Sequence, residues 1–202
     1  MPDINIMVLV SGSGTNLQAL LDAEKSGSLE NGTIKLVVSD RPGIYALERA
    51  KAAGVPAITI EPEKKIPRKQ QQQALSDQIL SLAETHRINM IVLAGFLSIL
   101  SGEIINRYAN KIINLHPALL PKYGGKGMYG EHVHRAVLAA REQESGCTVH
   151  FVDAGTDTGP ILVQRRVKVL PNDTPETLAQ RIHAEEHIAI VEAVKKVTVT
   201  FL

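Results

Sequence analysis

Short apolar runs that alternate with longer helical stretches constrain this chain more than any other feature. Ile4–Val10 is an apolar run, and Thr15–Lys25 carries a helical pattern after the turn Ser11-Gly12-Ser13-Gly14. Strands are next expected at 34–39 and 57–60, separated by a helix over 44–53 that Gly54 closes. A charged, proline-containing loop over 61–69 leads into a helix over 70–86, whose glutamines 70–73 read as a solvated face. A strand at 90–94, a short helix at 102–108 and a strand at 111–115 follow. Strands alternating with helices of about 10 to 15 residues specify βαβ units and a parallel sheet. The expected class is α/β.

The second half has a different texture. Four glycines within 122–130 require an irregular loop. A helix is expected over 131–140, then strands at 148–152 and 161–169 on either side of a glycine-bearing loop at 153–160. Thr174 as N-cap and Pro175 at the first helical position open a last helix running to about 196. With no internal repeat and no linker, residues 1–202 read as one domain with two functional halves that divide near residue 100.

Bulk properties exclude several classes. A length of 202 residues suits one well-buried domain, and a net charge of +1 gives no global pull toward nucleic acid or a membrane surface. The start of the chain has no basic run and too short an apolar stretch for a signal peptide or a membrane span. The single Cys147 has no internal disulfide partner, which fits a reducing compartment. The expected protein is soluble and cytoplasmic, a monomer or homodimer acting on small molecules.

The chemistry concentrates in three places. In Asn114-Leu115-His116-Pro117-Ala118-Leu119-Leu120-Pro121, an amide and an imidazole stand two residues apart at the end of an apolar strand. Side chains two apart share a strand face, so Asn114 and His116 can converge, and the prolines stiffen the backbone beyond them. The loop 11–16 can offer helix N–H groups to an anion, can be a plain turn, or can begin a dinucleotide fingerprint. The last reading would make Asp40 the ribose-binding acid, but Leu17 fills its third glycine position. Asp157 is either a turn former or the carboxylate that orients and charges His116. Thr148 and His150 share a strand face and can line the same cleft.

Other features read more blandly. His132 and His134 would not converge on a helix, and no further ligand completes a set, so no metal is expected. His183, Glu186 and His187 fall on one helical face, by default a half-exposed polar one. Cys147 lies within an apolar strand pattern, and no serine or cysteine nucleophile motif is present.

Placed together, these segments resemble the formyltransferase family, and within it the folate-dependent phosphoribosylglycinamide formyltransferases. The resemblance rests on Ser-Gly-Ser-Gly-Thr-Asn-Leu-Gln at 11–18, Val-Leu-Ala-Gly-Phe-Leu at 92–97 and the Asn114 to Lys122 element. It continues through Thr-Val-His-Phe-Val at 148–152, Thr-Asp-Thr-Gly-Pro-Ile at 156–161 and the pair Glu186-His187. Methionyl-tRNA formyltransferase and formyltetrahydrofolate deformylase share the Asn-x-His-Pro element but carry additional C-terminal or N-terminal domains. This chain opens directly on its first strand and stops soon after its last helix, so the expectation favours the glycinamide ribonucleotide enzyme.

The resemblance implies a three-layer fold with a mainly parallel twisted sheet, helices on both faces and a Rossmann-like N-terminal half. It implies transfer of the formyl group of 10-formyltetrahydrofolate, the co-substrate, to the amine of glycinamide ribonucleotide in purine biosynthesis. Asn114, His116 and Asp157 would be catalytic, with Asp157 raising the His116 pKa. Ser13, Gly14, Thr15, Asn16, His183 and Glu186 would bind the nucleotide, in the half before about residue 100 and the last helix. Arg68, Phe96, Leu97, Ser98, Ile99 and Asn114 would contact the folate, with Asp153, Ala154, Gly155, Thr156 and Asp157 along its pterin. Ser98 stands where many members carry Arg or Lys, so one folate contact is expected to be lost. The rivals are a formyltetrahydrofolate hydrolase, needing no amine acceptor, and a nucleotide-binding module without turnover.

Overall fold

The computed structural model describes residues 3–63 and 65–200. Seven strands form one sheet in the order β3-β2-β1-β4-β5-β6-β7. They are β1 Ile4–Val10, β2 Gly32–Ser39, β3 Ala57–Thr59, β4 Met90–Leu93, β5 Ile112–His116, β6 Glu144–Phe151 and β7 Ile161–Lys168. The first five pair in parallel, whereas β6 runs antiparallel to both β5 and β7. The helices are α1 Thr15–Lys25, α2 Tyr45–Ala52, α3 Arg68–Thr85, α4 Glu103–Arg107, α5 Glu131–Ala139 and α6 Pro175–Thr200. No helix among the described residues is long and apolar enough to cross a membrane.

Alternation along the central strands builds two cores. In β1, Ile6, Val8 and Val10 join the core under α1, α5 and α6, while Met7 and Leu9 join the core under α3 and α4. β4 divides in the same way, with Met90 and Val92 on one side and Ile91 and Leu93 on the other. A parallel sheet buried on both faces needs such continuous apolar runs, which is why these strands read so clearly in sequence. In β5, Ile113 and Leu115 face the first core, which leaves Asn114 and His116 together on the other face with Ile112.

Several expectations need adjustment. β6 begins at Glu144, four residues before the expected start, because Glu144 to Thr148 pair with β7 despite the polar Ser145 and the intervening Gly146. α6 continues four residues past 196, with Val197 and Thr198 buried. The glutamines are not all solvated: Gln70 is exposed, but Gln71, Gln72 and Gln73 are half-buried. Gln71 donates to the Ile66 carbonyl across the preceding loop, in which Lys64 lies outside the described residues. Cys147 is fully buried, and burial pushes its thiol up to about 12, so it is not a nucleophile.

Candidate active site

Chain topology fixes where a site can form. From β1 the chain crosses to β2 on one side, and β4 and β5 lie on the other, so a crevice opens at the carboxyl ends of β1 and β4. A cleft of about 510 Å³ lies there, walled by the loops after β1, β4 and β5, by the 125–131 segment and by α6.

At one end of the cleft, α1 begins at Gly14 with no side-chain cap, so its first-turn N–H groups are open to an anion. Gly14 has φ 73°, and a Cβ there would stand 2.6 Å from the Ala46 Cβ. Only glycine lets α2 approach this turn. Arg49 of α2 donates to the Ser13 carbonyl at 2.9 Å and braces the loop from outside. Glu186 of α6 is 3% exposed and accepts from Asn16 Nδ2 at 3.2 Å and from His183 Nδ1 at 2.7 Å. Burial would raise the Glu186 carboxyl, but these bonds and the nearby His134 hold it below its ordinary value. Its exposed neighbour His183 is held above the imidazole norm by the same carboxylate. His187 turns away from the cleft wall.

Asn114, His116, His150 and Asp157 converge at the centre. Register places Asn114 opposite His150 and His116 opposite Thr148 across β5 and β6. Asn114 Nδ2 lies 3.2 Å from His150 Nε2 and 3.4 Å from Asp157 Oδ1. His150 Nδ1 donates to the Phe151 carbonyl at 2.8 Å, and its Nε2 also lies 3.5 Å from Asp157 Oδ1. Asp157, in the left-handed region at φ 59°, also receives the Gly125 N–H at 2.9 Å. Burial works against its charge, yet His150, His116 and Gly125 together keep the carboxyl below its ordinary value.

His116 departs from expectation. Its Nε2–H donates to the Tyr123 carbonyl at 2.7 Å, and its Nδ1 faces Asp157 Oδ2 at 3.5 Å. Burial pushes the imidazole below its ordinary value, and Asp157 and Tyr123 offset only part of that push. Asp157 therefore raises the proton affinity of His116 without bringing it above the norm, and the resting ring is neutral at pH 7.

The other predicted residues divide. Arg68, Phe96, Leu97, Ser98, Ile99, Asp153, Gly155 and Thr156 line the cleft, while Ala154 stands off its wall. The Ser98 hydroxyl is turned inward and donates to Asp40 Oδ2 at 2.7 Å. That bond also removes the dinucleotide reading, because Asp40 is buried against Ser98 and away from the cleft. Thr148 does not line the cleft either. It is fully buried, donates to the Ala118 carbonyl at 2.6 Å and accepts from Leu120 N–H and Gln164 Nε2, so it pins the proline-bounded loop. His132 packs edge-on against the exposed Tyr129 ring, whereas His134 is buried in the cleft wall, so the two diverge. Among the described residues no group of three or more His, Cys, Asp or Glu is placed to hold a metal ion.

Sequence reasoning missed Tyr123, Gly125 and Arg49. Each acts through a backbone atom or across a long chain separation, which leaves no local signal.

The formyl transferase family model matches residues 4–194, nearly the whole chain. The chain belongs to the formyl transferase family. It is 36% identical over 184 residues to phosphoribosylglycinamide formyltransferase of Escherichia coli, covering 91% of this chain and 82% of that protein. It is 41% identical over 189 residues to the trifunctional purine biosynthetic protein adenosine-3 of Drosophila melanogaster. That match takes in 93% of this chain but only 13% of the fly protein. The solved glycinamide ribonucleotide transformylase 1 of Symbiobacterium toebii superposes with a TM-score of 0.85 at 41% identity, over 96% of this chain and 86% of that one. This formyl transferase thus shares its overall fold with a solved glycinamide ribonucleotide transformylase.

Proposed function

We propose that this formyl transferase moves the formyl group of 10-formyltetrahydrofolate to the amine of glycinamide ribonucleotide, giving formylglycinamide ribonucleotide and tetrahydrofolate. The observation that carries the reading is one cleft lined both by an open helix N-terminus and by Asn114, His116 and Asp157. A phosphorylated amine and a formyl donor can meet there, with the phosphate on Gly14, Thr15 and Asn16 and the donor along Arg68 and residues 96–99. The nucleotide end draws on both halves of the domain, since Glu186 joins Asn16 across the chain.

The chemistry follows from the residue types. The amine nitrogen attacks the formyl carbon, a C–N bond forms, and the carbonyl oxygen becomes an oxyanion to which the Asn114 amide donates. The attacking nitrogen must lose a proton as it becomes an amide, and neutral His116 can take it on Nδ1. Asp157 stabilises the resulting imidazolium, which hands the proton on through water. The departing folate nitrogen takes that proton as its bond to carbon breaks. No enzyme-bound covalent intermediate is needed.

The test is turnover of 10-formyltetrahydrofolate by the purified protein with and without glycinamide ribonucleotide. Tetrahydrofolate and formylated nucleotide appearing only with the acceptor are expected. Tetrahydrofolate and formate without it would instead make the protein a hydrolase, and no turnover in either tube would favour a binding role.

A further inference from the structure

His134 is a chemically capable group that the mechanism above does not use. It sits on α5, is 3% exposed, and lines the same cleft as Glu186 and His183. Its Nδ1 is shut away from solvent and has no hydrogen-bond partner among the described residues. A buried imidazole with no partner is destabilising unless a ligand supplies one.

The charged and titratable groups around it narrow the ligand. Glu186 and His183 face it from α6, Glu131 from its own helix and His116 from β5. Glu186 is the strongest of these, yet its Oε2 is already taken by Asn16 and His183, so His134 stands beside the carboxylate without binding it. Burial keeps the ring uncharged near neutral pH. A phosphate dianion would meet the Glu186 charge and a neutral ring, a poor match. A sugar hydroxyl fits both groups, because it can donate to the carboxylate while accepting from an imidazole N–H.

We propose that His134 is a further substrate-binding residue, which donates a hydrogen bond to a ribose hydroxyl of the nucleotide that Glu186 also accepts from. The assignment rests on the acceptor being a ribonucleotide, and the experiment separates the two. His134→Phe keeps the ring's bulk and removes both nitrogens, and His134→Gln restores one N–H donor. Inhibition by ribose 5-phosphate and by inorganic phosphate is measured on each, alongside the KM of both substrates.

The expected result is that His134→Phe weakens ribose 5-phosphate and raises the nucleotide KM about five- to ten-fold, the range of a lost neutral hydrogen bond. Inorganic phosphate affinity, folate KM and kcat at saturating nucleotide stay unchanged, and His134→Gln recovers most of the loss. Unchanged ribose 5-phosphate binding in His134→Phe would overturn the proposal. Equal loss for inorganic phosphate would overturn it too, by making His134 a phosphate ligand. If His134→Phe does not fold, His134→Leu takes its place: the same selective loss of ribose 5-phosphate is expected, and unchanged ribose 5-phosphate binding in it overturns the proposal. Failure of the wild type to formylate the nucleotide would sink the substrate reading while leaving the ribose 5-phosphate comparison intact.

Discussion

Asn114 and His150 face each other across β5 and β6, with the amide nitrogen 3.2 Å from His150 Nε2. The imidazole is itself fixed by its bond to the Phe151 carbonyl, so the orientation of the amide is set from outside the reaction centre. An oxyanion donor works only when it is aimed before charge develops.

On the proposed mechanism, removing Asn114 removes the oxyanion donor, and removing His150 leaves that donor misaimed. Asn114→Ala is expected to lower kcat on the order of 100- to 1000-fold. His150→Ala should lower kcat roughly 10- to 100-fold, the scale of a misplaced catalytic group. Both substrates should keep their KM within a few-fold. Steady-state kinetics on the two variants check this, and a His150→Ala enzyme with full kcat would separate His150 from the site.

The pH dependence of the reaction should report His116. Burial holds its pKa below the ordinary value and Asp157 lifts it part of the way back. A ring that must start neutral gives a rate that falls on the acid side, below about pH 6.5. Removing the Asp157 charge lowers the His116 pKa further, so Asp157→Asn should move the acid limb to lower pH while reducing the plateau at least ten-fold. The kcat/KM profile of the two enzymes decides. A limb displaced upward in the variant would mean that His116 is not the group titrating.

The contrast between His116 and its surroundings shows what the sequence could convey. The pairing of Asn114 with His116 followed from strand period alone, and the open turn at Gly14 followed from its glycines and the helix after it. The alternation of Ile6, Met7, Val8 and Leu9 between two cores made the parallel sheet legible. Asp157 remained ambiguous because a loop carboxylate reads alike whether it closes a turn or faces a histidine. The net direction of the His116 pKa was hidden because it is a balance of burial and charge that only packing sets. Thr148 and His150 share a face, yet one is covered by the proline-bounded loop and the other is not. No periodicity distinguishes them.

Gly14 offers a direct test of the proposed phosphate end. Its positive φ and the 2.6 Å approach of Ala46 to its missing side chain leave no room for a methyl group. Gly14→Ala should destabilise the fold by about 1–3 kcal/mol through backbone strain and displaced α2 packing. It should raise the nucleotide KM at least ten-fold, because the N–H groups of Thr15 and Asn16 turn with the loop. Folate KM should change little. Thermal denaturation and substrate kinetics check both halves, and an unchanged nucleotide KM would remove this turn from the binding site.

Glu186 should make stability depend on acid. Its folded pKa lies below the ordinary carboxyl value, so its contribution is present above the unfolded pKa of about 4.5 and is lost as pH falls through the folded one. Glu186→Gln keeps the shape and removes this dependence. The variant should be about 1–3 kcal/mol less stable than the wild type at pH 7, with the gap narrowing below pH 4.5. Urea unfolding at pH 7 and pH 4 measures it. A gap that is constant with pH would show that the carboxylate charge is not what holds Asn16 and His183.

Thr148 tests whether the loop beyond His116 is held from below. Its hydroxyl joins Ala118 and Leu120 of that loop to Gln164 of β7, with no part exposed to the cleft. Thr148→Val preserves shape but strands the buried Ala118 carbonyl and Leu120 N–H, while the Gln164 amide keeps its bond to the Leu120 carbonyl. A loss of about 1–3 kcal/mol in stability is expected from the most poorly relieved of these. Because the same loop carries the Tyr123 carbonyl that fixes the His116 tautomer, kcat should fall several-fold while nucleotide KM holds. A variant that loses stability but keeps kcat would show that the loop finds its position without this hydroxyl, and that Tyr123 alone fixes the ring.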